Sequence, residues 1–589
     1  MNRFVLKDKM IIAILKEKGA IKMELSSILH VADHRFAYAL DKNQFCIRVR
    51  TKKGDLAHVI LHYRDKYIPL QFFDSRKEVE MKIYASDYVF DYYEAIITID
   101  VICLRYFFEF IDHEGNKAYF GNNRFYKQII TSNDFMFDLP QNVREEERYV
   151  VPKWAENKII YQIFPARFAS SINVSKEIWY QEPISHLANL GGHLRGLINH
   201  LDHIKELGAD LIYMTPIFKS TSMHKYNISD YYKIDPTFGT KEDLIELVSK
   251  AHKLEMKVIL DGVFNHTGTD FFAFEDCIKN KEGSAYWDWY YIKNSPVQMK
   301  WGPECNYKTF AYFFGMPKIN ENNPVARKYF IDVATYWIKE ADIDGWRLDV
   351  ADEVPHVFWK EFRKAVKKVK PEALIIGEVW HYAEDFLDGD EWDTVMNYDF
   401  YFSVRELIAN ETLTVSDFYA ELETIKGRCH KAIYPYLWNL LDSHDTERFY
   451  NACKYDKKKE MLAIALQLLL PGMPLVYYGD EYGMKGSHDP DNRRGMYWDK
   501  EYQDLDFFEW YKKLIAIRKK HPNILLDNIS VKAIDETGIL ILDKKEYVLI
   551  FNTKSEKQEL LDYKNYLDLV SNQKFNGILE DYNCLVLQK

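Results

Sequence analysis

The N-terminal part of the chain alternates apolar and polar residues. Between Met23 and about Pro140, runs such as "FCIRVRT", "HVILHY" and "AIITIDVICLRYFFEF" are separated by the turn sequences "KKGD" and "DHEGN". Successive side chains of a strand point to opposite faces of a sheet, so strands with one buried face show this alternation. The pattern predicts a β-sandwich over residues 23–140, preceded by a tail over residues 1–22 that has no strand pattern.

From Lys158 onward, short apolar runs alternate with amphipathic helical text such as "KEDLIELVSKAHKLE". Strands alternating with helices are typical of the α/β class, and eight such strands predict a parallel (β/α)8 TIM barrel, here over residues 141–521. The eight strand candidates are "IIYQIFP", "LIYMTPI", "KVILDGVF", "DGWRLDV", "LIIGEV", "TVMNY", "YLWNLLDS" and "PLVYYG".

Two further segments depart from the barrel pattern. Residues from about 266 to 323, after the third strand, are rich in aromatics and glycine without a helical period, which predicts an inserted subdomain. Residues 522–589 return to strand patterning in "ISVKAIDETGILILDKKEYVLIFNT", which predicts a small C-terminal β domain.

Composition narrows the classes of function. The 589 residues are 47% hydrophobic and 28% charged, as in globular proteins, and the net charge of −11 without a basic cluster argues against nucleic acid and anionic membranes as partners. Seven scattered cysteines without a C-x-x-C pair indicate reduced thiols. With no convincing signal peptide and no spanning helix, we expect a cytoplasmic protein.

Acidic residues cluster where the barrel strands end, which is where the active sites of such barrels lie. They are Asp261, Asp349, Glu378, Asp442 and Asp445, accompanied by His266 and His444. No H-E-x-x-H and no G-x-S-x-G motif occurs, which disfavours metal and serine catalysis. Opposed carboxyls are what glycoside hydrolysis requires, one as nucleophile and one as proton donor.

Arg347 and Asp349 lie two residues apart in "GWRLD", on the same face of the predicted strand. One interpretation is a structural ion pair at a strand end. The other is an arginine that keeps a nucleophilic carboxylate ionised.

Four motifs together resemble one family. "DGVFNH", "GWRLDVADE", "GEVWH" and "LLDSHD" match, in order and spacing, the motifs of the α-amylase superfamily, glycoside hydrolase family 13. "MPKIN" is similar to the signature of its neopullulanase, cyclomaltodextrinase and maltogenic amylase subgroup, and "HRFAYALDKNQFCIRVRTKKGD" resembles the start of that subgroup's N-terminal carbohydrate-binding module. The resemblance covers nearly all of the chain after Met23.

The resemblance implies a role for each matching residue. Asp349 is expected to be the nucleophile, Glu378 the acid/base and Asp445 the transition-state stabiliser, with Arg347 orienting the nucleophile. The remaining matches imply substrate-binding residues, for which packing or loop solvation is the alternative: His266, His444, Tyr226, Trp380, Glu353, Asp489 and Arg493.

The chain departs from the subgroup pattern in three respects. Asp352 replaces the usual asparagine of "VANE", and Asn227 replaces the aspartate of "HKYD". Where calcium-binding relatives carry Asn and Asp, this chain has Ala166, Ser170, Ser171 and His193. We therefore expect no metal and no cofactor.

The resemblance implies a retaining α-glucan hydrolase with some transglycosylation, active on cyclodextrins, malto-oligosaccharides and pullulan through α-1,4 and, as an open question, α-1,6 linkages. It also implies a homodimer. The alternatives are an exo-acting α-1,6-glucosidase, or a non-catalytic amylase-like binding or assembly protein, although members of the latter class lose catalytic carboxylates that this chain retains.

Overall fold

The computed structural model describes residues 23–33, 35–69, 75–139, 149–170, 172–381 and 383–589. The predicted tail over residues 1–22, and Ser171, lie outside these ranges. Internal contacts divide the chain into two units, one formed by Met1–Val150 with Tyr419–Ala432, the other by Val151–Phe418 with Ile433–Lys589.

The first unit contains two antiparallel sheets, as the alternation predicts. One has the strand order β1-β2-β6-β5, and the other has the order β4-β3-β7-β8-β9, with β10 pairing to β7. Their shared core includes Phe45, Val59, Leu61 and Phe108, all buried. The strands are β1 (Ala37–Asp41), β2 (Gln44–Lys52), β3 (Leu56–Asp65), β4 (Lys77–Glu80), β5 (Lys82–Ser86), β6 (Phe90–Thr98), β7 (Leu104–Asp112), β8 (Lys117–Gly121), β9 (Arg124–Tyr126) and β10 (Phe137–Asp138).

The second unit is built on a closed barrel of eight parallel strands, in the order β11-β12-β15-β16-β17-β18-β19-β20. Each predicted strand forms one of them, which confirms the (β/α)8 fold. Almost every barrel residue is buried, because both faces of a barrel strand are covered. The strands of this region are β11 (Ile160–Ile163), β12 (Leu211–Met214), β13 (Phe218–Ser220), β14 (Ile228–Ile234), β15 (Lys257–Gly262), β16 (Gly345–Leu348), β17 (Leu374–Gly377), β18 (Thr394–Asn397), β19 (Trp438–Leu440) and β20 (Met473–Tyr477), of which β13 and β14 form a separate antiparallel pair.

Polar side chains at the N-termini define several helices. Thr240 and Asp243 form a capping box at one helix, and Asn323, followed by Pro324, caps another. The helices are α1 (Pro165–Phe168), α2 (Lys176–Trp179), α3 (Leu194–Ile198), α4 (Leu201–Leu207), α5 (Lys241–Lys253), α6 (Phe272–Asn280), α7 (Pro324–Ala341), α8 (His356–Val369), α9 (Tyr398–Val404), α10 (Val415–Arg428), α11 (Phe449–Ala452), α12 (Lys457–Leu469) and α13 (Leu505–Lys520).

The predicted insertion lies between β15 and α7. It holds α6, short 3-10 turns and isolated bridges, among them His266 with Lys318 and Tyr290 with Ile319. Buried aromatic rings such as Phe274 and Tyr290, 4.9 Å apart, supply its packing. This explains the aromatic-rich text without a helical period.

The C-terminal strands form a six-stranded sheet in the order β21-β22-β23-β28-β25-β26, beside a two-stranded sheet of β24 and β27. Ile541, Val548, Ile550 and Leu587 lie in its core. Across the described ranges, no helix is long and apolar enough to cross a membrane. The strands are β21 (Ser530–Ile534), β22 (Ile539–Asp543), β23 (Tyr547–Asn552), β24 (Gln558–Glu559), β25 (Leu567–Asp568), β26 (Gln573–Lys574), β27 (Ile578–Leu579) and β28 (Asn583–Gln588).

Candidate active site

Arg347, on strand β16, lies at the centre of a cluster of carboxyl groups. Its Nη1 donates to Oδ1 and Oδ2 of Asp261, both at 3.0 Å, and to Oδ1 of Asp349 at 3.1 Å, while its Nη2 lies 2.9 Å from Oε2 of Glu378. The guanidinium is fully buried. Strands β15, β16 and β17 are consecutive in the barrel, so their carboxyl ends bring these groups to one cation.

Asp349 and Glu378 each follow the last residue of a strand, and both are 6% exposed. Glu378 accepts two hydrogen bonds, from the Val350 N–H to Oε2 at 3.0 Å and from the Trp380 indole N–H to Oε1 at 3.0 Å. The Trp380 ring stacks on Tyr398 with centroids 4.1 Å apart. Each oxygen of the acid/base candidate therefore has a defined partner.

Two of the carboxyls around Arg347, those of Asp261 and Asp349, have a raised pKa. Burial raises the pKa of Asp261 to about 6, even though Arg347 acts in the opposite direction. Burial, and then repulsion from Glu378, raise the pKa of Asp349 as well. Burial and mutual repulsion therefore make it costly for both of these aspartates to be ionised at once, while Arg347 favours the ionised form of each.

A second set of contacts runs from Asp261 to the loop after strand β19. The Gln162 amide lies 2.7 Å from Nδ1 of His444, which makes Nε2 the protonated nitrogen of a neutral ring. His444 Nε2 contacts the Tyr226 hydroxyl, and the Tyr226 hydroxyl donates to Oδ2 of Asp261 at 3.0 Å. Burial holds the pKa of His444 well below its ordinary value, so the ring stays uncharged.

Asp445 contacts two of the predicted substrate-binding residues, His444 and Arg493. His444 Nε2 lies 3.1 Å from Oδ2 of Asp445, and Arg493 Nη2 lies 3.4 Å from its Oδ1. Arg493 also contacts Oδ1 of Asp489 at 2.8 Å. Asp445 has a more exposed side chain than Asp349 or Glu378, so a ligand in the barrel mouth can reach it.

The remaining predicted residues lie on the same side of the barrel. His266 is fully buried, burial lowers its pKa to about 3, and its ring stacks on Phe310 with centroids 5.0 Å apart. Its Nε2 has no partner within the described structure. Glu353 accepts from the Asn265 amide at 3.0 Å. The Nε2 atom of this neutral imidazole is therefore free to pair with a hydroxyl group, which both donates and accepts.

The structure thus gathers all the predicted site residues at the C-terminal ends of the strands, in the second unit. Sequence reasoning named Asp261 among the carboxylates at the strand ends but gave it no role, and it did not name Tyr213, Gln162 or Tyr398. Tyr213 donates to Oδ2 of Asp261 at 2.6 Å. The sequence feature that could have identified these residues is their position, since each lies near the carboxyl end of a barrel strand.

Three of the four residues that the sequence resemblance placed at a calcium position are described, and none of them carries a carboxylate. Ala166 offers no side-chain oxygen, the Ser170 hydroxyl donates to the Ile172 carbonyl at 2.9 Å, and Nδ1 of His193 accepts from the Arg195 N–H at 3.0 Å. Calcium prefers several carboxylate and carbonyl oxygens. No group of three or more His, Cys, Asp or Glu residues that could hold a metal ion occurs in the described ranges.

Opposed carboxyls at the mouth of a (β/α)8 barrel, neutral histidines and exposed Trp380 together define a glycosidase class of barrel enzyme. The sequence agrees: residues 162–527 match the α-amylase catalytic domain, and residues 23–141 match the α-amylase N-terminal Ig-like domain. The chain belongs to the α-amylase family. It is a glycoside hydrolase acting on α-glucosidic bonds.

Similar proteins match over nearly full length. The chain is 40% identical to a cyclomaltodextrinase from Thermoanaerobacter pseudethanolicus, covering 91% of this chain and 93% of the relative. It is 38% identical to neopullulanase 2 from Thermoactinomyces vulgaris, covering 94% and 96%. A solved cyclomaltodextrinase structure superposes with a TM-score of 0.88 at 33% identity, covering 96% and 98%.

Proposed function

We propose that Asp349 is the nucleophile, Glu378 the acid/base and Asp445 the transition-state stabiliser of a retaining α-glucan hydrolase. The observation that carries this proposal is the shared contact of Asp349 and Glu378 with Arg347, at 3.1 and 2.9 Å. Carboxyls held by one guanidinium lie close together, and a separation of about 5–5.5 Å between carboxyl groups is typical of retaining enzymes.

In the first step, an oxygen of Asp349 forms a bond to the anomeric carbon while the bond from that carbon to the leaving oxygen breaks. Glu378 gives its proton to the leaving oxygen. In the second step, water attacks the same carbon, Glu378 takes a proton from the water, and the carbon–Asp349 bond breaks. Asp445 supports the positive charge that develops on the sugar in both steps.

The stereochemistry of the first product tests this assignment. Two displacements restore the configuration, so fresh product carries the α-anomer. Proton NMR recorded before mutarotation distinguishes the anomers. Initial release of the β-anomer would contradict the nucleophile assignment while leaving family membership intact.

We infer that the substrates are cyclodextrins, short malto-oligosaccharides and pullulan, with some transglycosylation. Support comes from relatives whose names are cyclomaltodextrinase and neopullulanase, each aligned over more than nine tenths of this chain. Chromatography of the products from a panel of these glucans, with starch and an isomaltose-type α-1,6 substrate, ranks the linkages and substrates. Exclusive release of glucose from α-1,6 ends would instead favour the exo-acting α-1,6-glucosidase.

We further propose a cytoplasmic homodimer without a bound cofactor. The four-stranded sheet of the first unit exposes Ile83 and Ile96, and the nearby Val89 and Ile102 are also exposed, so the unit offers apolar surface for a second copy.

Light scattering measures the mass of the particle in solution, and competing-substrate kinetics measure the preference for cyclodextrin over starch. Deleting residues 1–140 is expected to lower both. A full-length monomer that prefers starch would contradict both the proposed dimer and the proposed substrate preference. The assignment of the catalytic residues would be unaffected.

A further inference from the structure

The residue after Asp349 has an unfavourable backbone conformation. Val350 has φ 45° and ψ 49°, in the left-handed region. A β-branched side chain rarely adopts this conformation, and such residues persist where surrounding contacts hold them, often at functional sites. We call Asp349 to Ala351 the elbow.

The hydrogen bonds of the elbow join two barrel strands. The Asp349 N–H donates to the Gly262 carbonyl at 3.0 Å, at the end of β15. The next two N–H groups turn to Glu378: Val350 donates to the side-chain Oε2 at 3.0 Å, and Ala351 donates to the main-chain carbonyl at 3.2 Å. The left-handed turn at Val350 therefore fixes the position of Asp349, the nucleophile candidate. It also fixes the direction of the N–H group that donates to Glu378, the acid/base candidate.

Trp359 contacts the elbow from helix α8. Its indole Nε1 donates to the Ala351 carbonyl at 2.9 Å, and the side chain is fully buried. The ring packs against Phe358, Phe362 and Trp392, with centroids 4.9, 5.5 and 6.0 Å away. A rigid, buried donor on a helix is well suited to hold a loop carbonyl in one place.

We propose that Trp359 is a positioning residue, whose indole N–H holds the elbow in its left-handed turn and so fixes Asp349 relative to Glu378. The proposal rests on the catalytic roles assigned above. Because Trp359 is fully buried, its role is to position other residues and not to bind the substrate. Its effect is on the geometry of the two carboxyls, where a displacement of about 1 Å is enough to slow catalysis.

The test compares two tryptophans that make the same kind of bond. Trp337 is also fully buried, but its Nε1 donates to the Tyr231 carbonyl in β14, at 2.8 Å, and not to the elbow. Trp359→Phe and Trp337→Phe each remove one indole N–H and retain an aromatic ring. Both full-length variants are assayed with para-nitrophenyl α-maltotrioside, and their folding is checked by circular dichroism.

In Trp359→Phe, we expect kcat to fall at least about tenfold with KM changed by less than about twofold, because chemistry and not binding depends on the elbow. In Trp337→Phe, we expect kcat to stay within about threefold of the parent. Equal kcat values in the two variants would overturn the proposal. Loss of turnover in Asp349→Asn and Glu378→Gln separately tests the underlying assignment.

Val350→Gly tests the elbow while leaving Trp359 and its indole N–H in place, and it decides the question if Trp359→Phe does not fold. Glycine adopts the left-handed conformation at little cost and also leaves it easily. We expect kcat to fall by about tenfold or more while the melting temperature is unchanged or higher. A glycine variant with parental kcat would show that the turn has no part in positioning the carboxyls.

Discussion

The indole Nε1 of Trp380 lies 3.0 Å from Oε1 of Glu378, and the same ring stacks on Tyr398. One side chain therefore both orients the acid/base candidate and presents an aromatic face, 36% exposed, at the barrel mouth. Flat rings of this kind suit the apolar faces of sugars. The two roles can be separated by substitution.

Trp380→Phe keeps a ring for stacking and removes the donor to Glu378. Because leaving a buried acceptor without its donor costs roughly 1–3 kcal/mol, we expect kcat to fall about tenfold or more with a smaller change in KM. Steady-state kinetics on a maltotrioside provide the measurement. Trp301→Phe serves as control, because this exposed tryptophan packs on Phe313 and Phe314, and we expect it to retain parental kinetics. A Trp380→Phe variant that changes KM alone would assign the residue to binding only.

The carboxyl assignments predict distinct forms of chemical rescue. Asp349→Ala and Glu378→Ala each lose at least about 100-fold in kcat, since one removes the nucleophile and the other the proton donor. Azide added to Asp349→Ala attacks from the vacated side and gives a β-glycosyl azide. Azide added to Glu378→Ala intercepts the glycosyl-enzyme and gives the α-product. NMR of the two azides distinguishes the roles, and the reverse pattern would exchange them.

Chelation is expected to have no effect on stability. Ser170 and His193 use their side chains for hydrogen bonds within the protein, and Ala166 has no side-chain oxygen, so these three residues offer no carboxylate to calcium. The melting temperature should agree within about 1 °C in EDTA and in calcium, since a ligand without a site stabilises nothing. A loss of several degrees in EDTA, restored by calcium, would reveal a site among other oxygens.

The ionised carboxylate of Asp344 is predicted to contribute to the free energy of unfolding, and to lose that contribution at acidic pH. The carboxylate is 1% exposed and contacts His252, Lys257 and Lys370 at 2.6, 3.0 and 2.9 Å. Burial alone raises its pKa, but the His252 hydrogen bond and the Lys370 charge outweigh it, so the pKa of Asp344 is well below its ordinary value. The stabilisation is therefore present above about pH 4 and is lost as pH falls toward the lower folded-state value.

Asp344→Asn removes this charge from its partners. We expect a loss of about 2–3 kcal/mol of unfolding free energy at neutral pH, and a shallower decline of stability below about pH 4. Denaturant unfolding from pH 2 to 7 provides the measurement. Asp342→Asn is the matched control, because that side chain is 70% exposed and its change should stay within about 0.5 kcal/mol. Parallel pH profiles for the parent and Asp344→Asn would exclude the assignment.

The sequence alone determined the fold class and which acidic residues lie at the ends of the barrel strands. Apolar runs such as "KVILDGVF" and "LIIGEV" predict buried parallel strands, because a barrel strand is covered on both faces and therefore carries apolar residues on both. The carboxyl ends of such strands meet at one face, so Asp349, Glu378 and Asp445 were predictable as neighbours. These inferences need only local periodicity and the topology that it implies.

Only the tertiary structure decided how these groups contact one another. Arg347 and Asp261 are 86 positions apart in the chain, and their contact exists because the closed barrel aligns β15 with β16. The left-handed turn at Val350 contradicts the local preference of valine, so no local pattern predicts it. The bond from Trp359 to Ala351 depends on how α8 packs, since side-chain contacts between elements are set by three-dimensional packing and not by periodicity.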